Sequence, residues 1–295
     1  MRKWIIINCD YGQLGNRLHT HANALAWCLE NNYNLLNLSF RPFVHYFKKV
    51  DGRPVDILVQ NSDVFSRIFL YSFVRNILRR FCMSDKWLNR LSEFIEVLHC
   101  DENQVLNEAD LSSAMQNSKR LILIRAWNLN CSYTLTIHDE AIRGFLSPTC
   151  ACNNLATEFL SKLKSEYDII IGVHARRGDY KEYLGGRHYH SWQSYIEWIL
   201  QAKKLFEQER EKKVGFIICS DENLDESHFS YLPVYFLPQK EIYTDIITLS
   251  LCDYNVGPPS SFGTWISWYG KVPRCIVESN TVINSYNSFS ICKYC

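Results

Sequence analysis

A chain of 295 residues, 47% hydrophobic and 21% charged, is long enough for two packed domains and too apolar to stay disordered. Thirty-two Lys and Arg against 31 Asp and Glu leave a net charge of +1, so no global field exists to hold nucleic acid or an anionic membrane, and any anion site has to be local. No run approaches the roughly 18 apolar residues that a membrane-spanning helix needs, so the expectation is a cytoplasmic chain with no transmembrane segment and at most peripheral membrane contact. Twelve cysteines in a chain this long fall short of a disulfide scaffold. Cys150-x-Cys152 and Cys292-x-x-Cys295 could each chelate zinc, but no Cys or His stands at a supporting spacing, and buried or free thiols are the plainer reading.

In chain order, Trp4 to Asn8 reads as a first strand, Gly12 and Gly15 as a tight turn, and Asn16 to Glu30 as a helix with Leu18, Ala22, Leu25, Ala26 and Leu29 on one face. Leu35 to Phe40 follows as a strand. The stretch from Phe43 to Ser118 is irregular, with helices expected at 64–78 and 87–98, and Leu121 to Ile124 is another buried strand. Ser147-Pro148 marks a break, giving domains 1–147 and 148–295. The second half predicts strands at Ile169–His174, Gly215–Cys219, Val234–Leu237, Tyr254–Gly257 and Cys275–Val277. Helices are expected at 192–212, 242–252 and 261–269. Near-continuous apolar strands separated by helices imply a parallel sheet covered on both faces, and thus a two-domain α/β protein with a cleft between the halves.

In such sheets ligands sit beyond the carboxyl ends of the strands. The segment HARRGDY places His174, Arg176, Arg177, Asp179 and Tyr180 at one of those ends. A guanidinium fork matches two phosphate oxygens, so two adjacent forks could hold a diphosphate without a metal, with Asp179 fixing one of them. The plainer alternative is a solvated loop with a structural Arg–Asp pair. Ser220, Asp221 and Glu222 follow the next strand, where Asp221 could accept from the edge of a guanine or cap a helix. In PPSSFGTWISW, Ser260, Ser261 and Phe262 open a helix whose free N–H groups suit a phosphate, unless Ser260 is simply a cap. No two aspartates are spaced Asp-x-Asp, the pair that many sugar-nucleotide enzymes use for Mg²⁺ or Mn²⁺. Gly12-x-x-Gly15 lacks the three-glycine spacing of a dinucleotide fingerprint and reads instead as a turn that aims Asn16. His19 and His21 read as structural.

GQLGN, HARRGDY, SDEN and PSSFGTWISW, in that order from residue 12 to 269, resemble the motif series of the GDP-fucose-dependent fucosyltransferases. The nearest likeness is to the α-1,2 enzymes, with the α-1,6 and protein O-fucosyltransferases sharing the core motifs. The resemblance implies a GT-B-like architecture: two Rossmann-like domains with parallel sheets facing across a cleft, the first on the acceptor side and the second on the GDP-fucose donor side. It implies inverting transfer of fucose from GDP-fucose to a hydroxyl of a glycan acceptor, α-1,2 to galactose as the family default, with no metal cofactor. Other linkages, or a sugar-nucleotide binding protein without turnover, stay open.

On matching positions the resemblance gives Arg176 the β-phosphate, His174 and Asp221 the nucleoside end, and Ser260, Ser261 and Phe262 the phosphate and base site. Asn16, on the turn of Gly12 and Gly15, would approach the diphosphate, while Arg177, Tyr180 and Ser220 belong to the same donor loops. Candidates for the general base are Asp10, Asp179 and Glu182. Trp127 or Tyr46 could stack on sugar rings. Gln13, Arg17 and His19 depart from the usual α-1,2 pattern.

Overall fold

The computed structural model describes residues 3–9, 12–48, 95–100, 104–116, 120–126, 128–238 and 241–293, which fall into two units, Met1–Thr149 and Cys150–Tyr294. In the first unit, β1 (Trp4–Ile7) leads into α1 (Leu14–Asn31) and β2 (Asn34–Asn37). Helix α1 turns Leu14, Leu18, Ala22 and Leu25 into the core and ends at Asn32, which takes the left-handed conformation (φ 57°) that Asn tolerates better than other side chains. After β3 (Ile95–His99) come β4 (Leu106–Asn107), α2 (Glu108–Gln116), β5 (Leu121–Arg125), β6 (Leu129–Asn130), α3 (Ser132–Ile137) and α4 (Asp139–Phe145). The main sheet runs β2-β1-β5-β3, every pair parallel, with Ile5 registered between Leu35 and Ile122.

Two expectations change here. The strand expected at Leu35–Phe40 stops at Asn37, whose side chain accepts from the Phe40 amide at 3.2 Å and turns the chain into a 3-10 helix, Leu38–Tyr46. The helix expected over 87–98 is a strand where it is described, because Ile95 to His99 pairs along β5. The helix expected at 64–78 lies outside the described residues.

The second unit opens with α5 (Cys150–Lys164), which the sequence reading missed, and continues with β7 (Ile169–Ala175), α6 (Trp192–Arg210), β8 (Val214–Ser220), β9 (Val234–Phe236), α7 (Ile242–Ser250), β10 (Tyr254–Gly257), α8 (Ser261–Gly270) and β11 (Arg274–Ile276). Its sheet runs β11-β10-β7-β8-β9, all parallel. Ile169, Ile171 and Val173 of β7 pack with Tyr195, Ile199 and Phe206 of α6. The alternate residues meet the opposite layer: a Cβ on Gly172 would press into Leu249 of α7, and His174 stacks on Phe262 of α8 at 4.6 Å. Both faces are covered, which is why β7 is buried at all seven positions.

In the order of their appearance the five strands are arranged 5-4-1-2-3, which read from the other edge is the 3-2-1-4-5 order of a doubly wound dinucleotide-binding sheet without its sixth strand. The direction of winding reverses between β7 and β10. A crevice opens beyond the carboxyl ends of strands at such a reversal.

Candidate functional site at the sheet reversal

The three loops singled out in the second half of the sequence meet at that edge. Arg176, one residue past β7, points one guanidinium nitrogen at Asp179 Oδ2 (2.7 Å) and another at Asp221 Oδ2 (3.3 Å), with its carbon 5.6 Å from the centre of the Tyr180 ring. Asp221, one residue past β8, accepts from the backbone N–H of Arg177 (2.8 Å) and of Gly178 (3.1 Å). It therefore caps no helix; it draws the HARRGDY loop onto the end of β8. Tyr180 donates its hydroxyl to the carbonyl of Pro259 at 2.5 Å, tying the same loop to the end of β10.

The two arginines divide. Arg177 is turned inward and all of its nitrogens are engaged. Nε donates to Glu222 (2.8 Å), Nη1 to the His190 carbonyl and Nη2 to the Tyr189 hydroxyl (2.5 Å), while the guanidinium lies 4.4 Å from the ring centres of both Tyr189 and Trp192. Two forks on one loop were expected to face a ligand together; in the structure Arg177 is engaged with Glu222, His190 and Tyr189, while Arg176 lies nearer the surface between Asp179 and Asp221. Of the neighbouring expectations, Ser220 ends β8 and turns its hydroxyl to the backbone N–H of Glu222 (3.2 Å).

Ser260 is the N-cap of α8, accepting from the Gly263 amide at 3.0 Å, and its hydroxyl also lies 3.5 Å from His174 Nδ1. Ser261 is the first residue of the helix and Phe262 the second, the latter buried against the His174 ring. The first turn of α8 holds no acidic side chain, so no carboxylate of its own offsets the positive end of the helix dipole. His174 stays neutral: burial pushes its pKa well below the ordinary value, with Arg274 and Arg176 pushing the same way. Burial raises Tyr180 to about 12, against the pull of Arg176, so its hydroxyl keeps its proton and its bond to Pro259.

The depressed pKa has a consequence for stability. The unfolded chain binds a proton at His174 near pH 6.5 and the native chain does not, so stability present above that pH is lost as the pH falls. The expected result is an unfolding free energy that falls between pH 7 and pH 5.5, with a slope in His174→Phe shallower by an amount that approaches about 1.4 kcal/mol per pH unit only at the acid end of that range. Identical slopes in the two proteins would contradict the neutral imidazole.

In the first unit, Gly12 has φ +78°, and a Cβ there would lie 2.5 Å from the Asn16 amide nitrogen, so this glycine is what lets the Asn16 side chain fold over the turn. Gly15 is buried in the first turn of α1, which starts at Leu14, two residues before the expected Asn16. Arg17 holds the turn, donating to the carbonyls of Gly12 (3.0 Å) and Ser39 (2.6 Å). His21 is structural as expected, stacked 4.1 Å from Phe40. Burial lowers the His19 pKa to about 4. Tyr46 packs on His45 at 3.9 Å. Asp10, Trp127 and Cys295 lie outside the described residues. Glu182 is exposed on the loop after Tyr180. Among the described residues no group of three or more His, Cys, Asp or Glu is placed to hold a metal ion, and no helix is long and apolar enough to cross a membrane.

No family model and no curated protein sequence matches the chain. Solved structures do. Arabidopsis thaliana FUT1, an arginine-to-lysine mutant in complex with GDP, superposes with a TM-score of 0.63 at 14% identity, covering 98% of this chain and 74% of that one. NodZ α-1,6-fucosyltransferase soaked with GDP-fucose gives 0.57 at 16% identity, covering 96% and 97%. Fucosyltransferase NodZ from Bradyrhizobium gives 0.54 at 19% identity, covering 95% and 96%. The likeness is one of fold: this chain has the GT-B-like α/β fold of those fucosyltransferases.

Proposed function

We propose that the chain is an inverting glycosyltransferase that moves fucose from GDP-fucose to a hydroxyl of a glycan acceptor, with the second unit on the donor side and the first on the acceptor side. One observation carries the reading: Arg176, held between Asp179 and Asp221, lies at the strand reversal on the same edge as the Ser260-capped start of α8. The bound GDP and GDP-fucose of the fold neighbours support it.

The chemistry is displacement at the anomeric carbon. The bond from that carbon to the β-phosphate oxygen breaks as the acceptor oxygen attacks from the other face, through a state with oxocarbenium character. Negative charge grows on the leaving diphosphate, and the Arg176 fork, with the amides that open α8, stabilises it. A fixed cation at that place makes the proposed reaction metal-independent. His174 and Phe262 form a stacked apolar wall for the nucleoside end. Asp179 is committed to Arg176, so Glu182, exposed on the same loop, is the proposed general base. The linkage we propose is α-1,2 to galactose, on the resemblance of the motif series.

The purified chain, incubated with GDP-fucose and a galactose-terminated oligosaccharide, is expected to place fucose on O2 of galactose with inversion, at a rate unchanged by EDTA. Nuclear magnetic resonance of the product reads both linkage and configuration. Activity lost in EDTA would remove the metal-free mechanism. Transfer to a primary hydroxyl, as the α-1,6 neighbour's name describes, would remove the linkage alone. GDP binding without turnover would leave a sugar-nucleotide binding protein.

A further inference from the structure

Arg274 opens the edge strand β11 and is only 2% exposed. Its Nη2 donates to the carbonyls of Gly257 (3.3 Å) and Pro258, while Nη1 is buried with no hydrogen-bond partner. Among the described residues no carboxylate pairs with it; the neighbouring group that favours its charge most is the Cys292 thiol, which shares a hydrogen bond with the guanidinium. Gly263, in the first turn of α8, makes the room, since a Cβ there would land on the guanidinium.

A buried cation without a counter-ion is costly. This one lies against the amino end of a helix, whose open amides and dipole are themselves positive. The two reinforce each other at the reversal of the sheet, and together they call for an anion.

We propose that Arg274 is a positioning residue for a diphosphate: it fixes the Gly257–Pro258 turn that sets the start of α8, and the bound anion neutralises its charge through that turn. The inference rests on the donor-site reading but concerns a residue that, at 2% exposure, does not itself reach the ligand.

The test compares wild type with Arg274→Met and Arg274→Lys by calorimetry, using GDP, guanosine and inorganic pyrophosphate, with urea unfolding of the ligand-free proteins. In Arg274→Met the affinities for GDP and pyrophosphate are expected to fall by at least about tenfold, the size of one charge-assisted interaction. Guanosine affinity is expected to hold while the ligand-free protein loses some stability with the bonds to Gly257 and Pro258, and Arg274→Lys, which keeps the charge, recovers most of the lost anion affinity. Equal weakening of GDP and guanosine, or pyrophosphate binding unchanged, would overturn the proposal and leave Arg274 a packing residue. If Arg274→Met does not fold, the ratio of pyrophosphate to guanosine affinity in Arg274→Lys decides: a fall supports the proposal and an unchanged ratio overturns it. Wild type that binds pyrophosphate with an affinity that falls in Arg274→Met, yet shows no preference for GDP, would sink the donor reading and leave this inference standing.

Discussion

Arg176→Ala is expected to lower kcat/KM for fucosyl transfer by about 10²–10³ and to leave the thermal midpoint close to that of the wild type. The two effects separate because of what Arg176 touches. Its partners Asp179 and Asp221 keep 56% and 26% of their side-chain surface in water, so both carboxylates are resolvated when the guanidinium goes. The Asp179 pair, more than half in water on its acidic side, is worth about 0–1 kcal/mol, and the more enclosed Asp221 pair sets the upper limit of the loss. Asp221 also keeps its bonds to the Arg177 and Gly178 amides, so the loop stays on the end of β8. On the proposed function, what is lost is the cation that meets the charge of the leaving diphosphate. Arg176→Lys should recover little, because one ammonium cannot meet Asp179 and Asp221 together and still present two parallel donors to a phosphate. Steady-state kinetics beside a melting curve checks both halves. A lysine variant within about threefold of wild type would mean that charge alone suffices and that the planar fork is incidental.

The second unit was legible because its strands are short apolar runs closed by polar residues. Ile169 to Val173 and Phe216 to Cys219 announce themselves, and the residues after them had to fall on one edge of a parallel sheet. The burial that divides Arg176 from Arg177 was not legible. The two are adjacent in the chain, and what draws one inward is Tyr189, Trp192 and Glu222, brought to it by the fold. Arg274 was missed for a related reason. A single arginine at the start of an apolar strand looks like an exposed strand end, and only the closeness of Gly263 on α8 shows that it is enclosed. In the first unit, β3 defeated the helical reading because a partly buried edge strand carries no strong alternation: four of its five positions are half-buried. Helix α5 was passed over because only Ala156, Leu160 and Leu163 are buried along it, a narrow stripe on a polar helix.

Arg177→Ala is expected to destabilise the second unit by about 3–5 kcal/mol, the usual result of removing one partner from a buried charged network. Arg177 is 7% exposed and joins three parts of the chain: the exit of β7, Glu222 beyond β8, and the segment Tyr189–Trp192 that leads into α6. Without it the His190 carbonyl and the Tyr189 hydroxyl lose their donor, and Glu222 keeps a charge with nothing opposite. Two aromatic faces lose the cation between them, each such contact contributing about 0.5–2 kcal/mol. Arg177→Lys should restore only a fraction, since an ammonium cannot lie flat between Tyr189 and Trp192 while meeting Glu222. The double variant Arg177→Ala, Glu222→Gln should be more stable than the sum of the single changes implies, because the stranded carboxylate is gone. Urea unfolding of the four proteins gives the coupling, and activity measured well below the midpoint should track the folded fraction. A full-strength midpoint in Arg177→Ala together with lost GDP binding would reverse the assignment, making the second guanidinium a ligand for the nucleotide instead of the clamp that holds its loop.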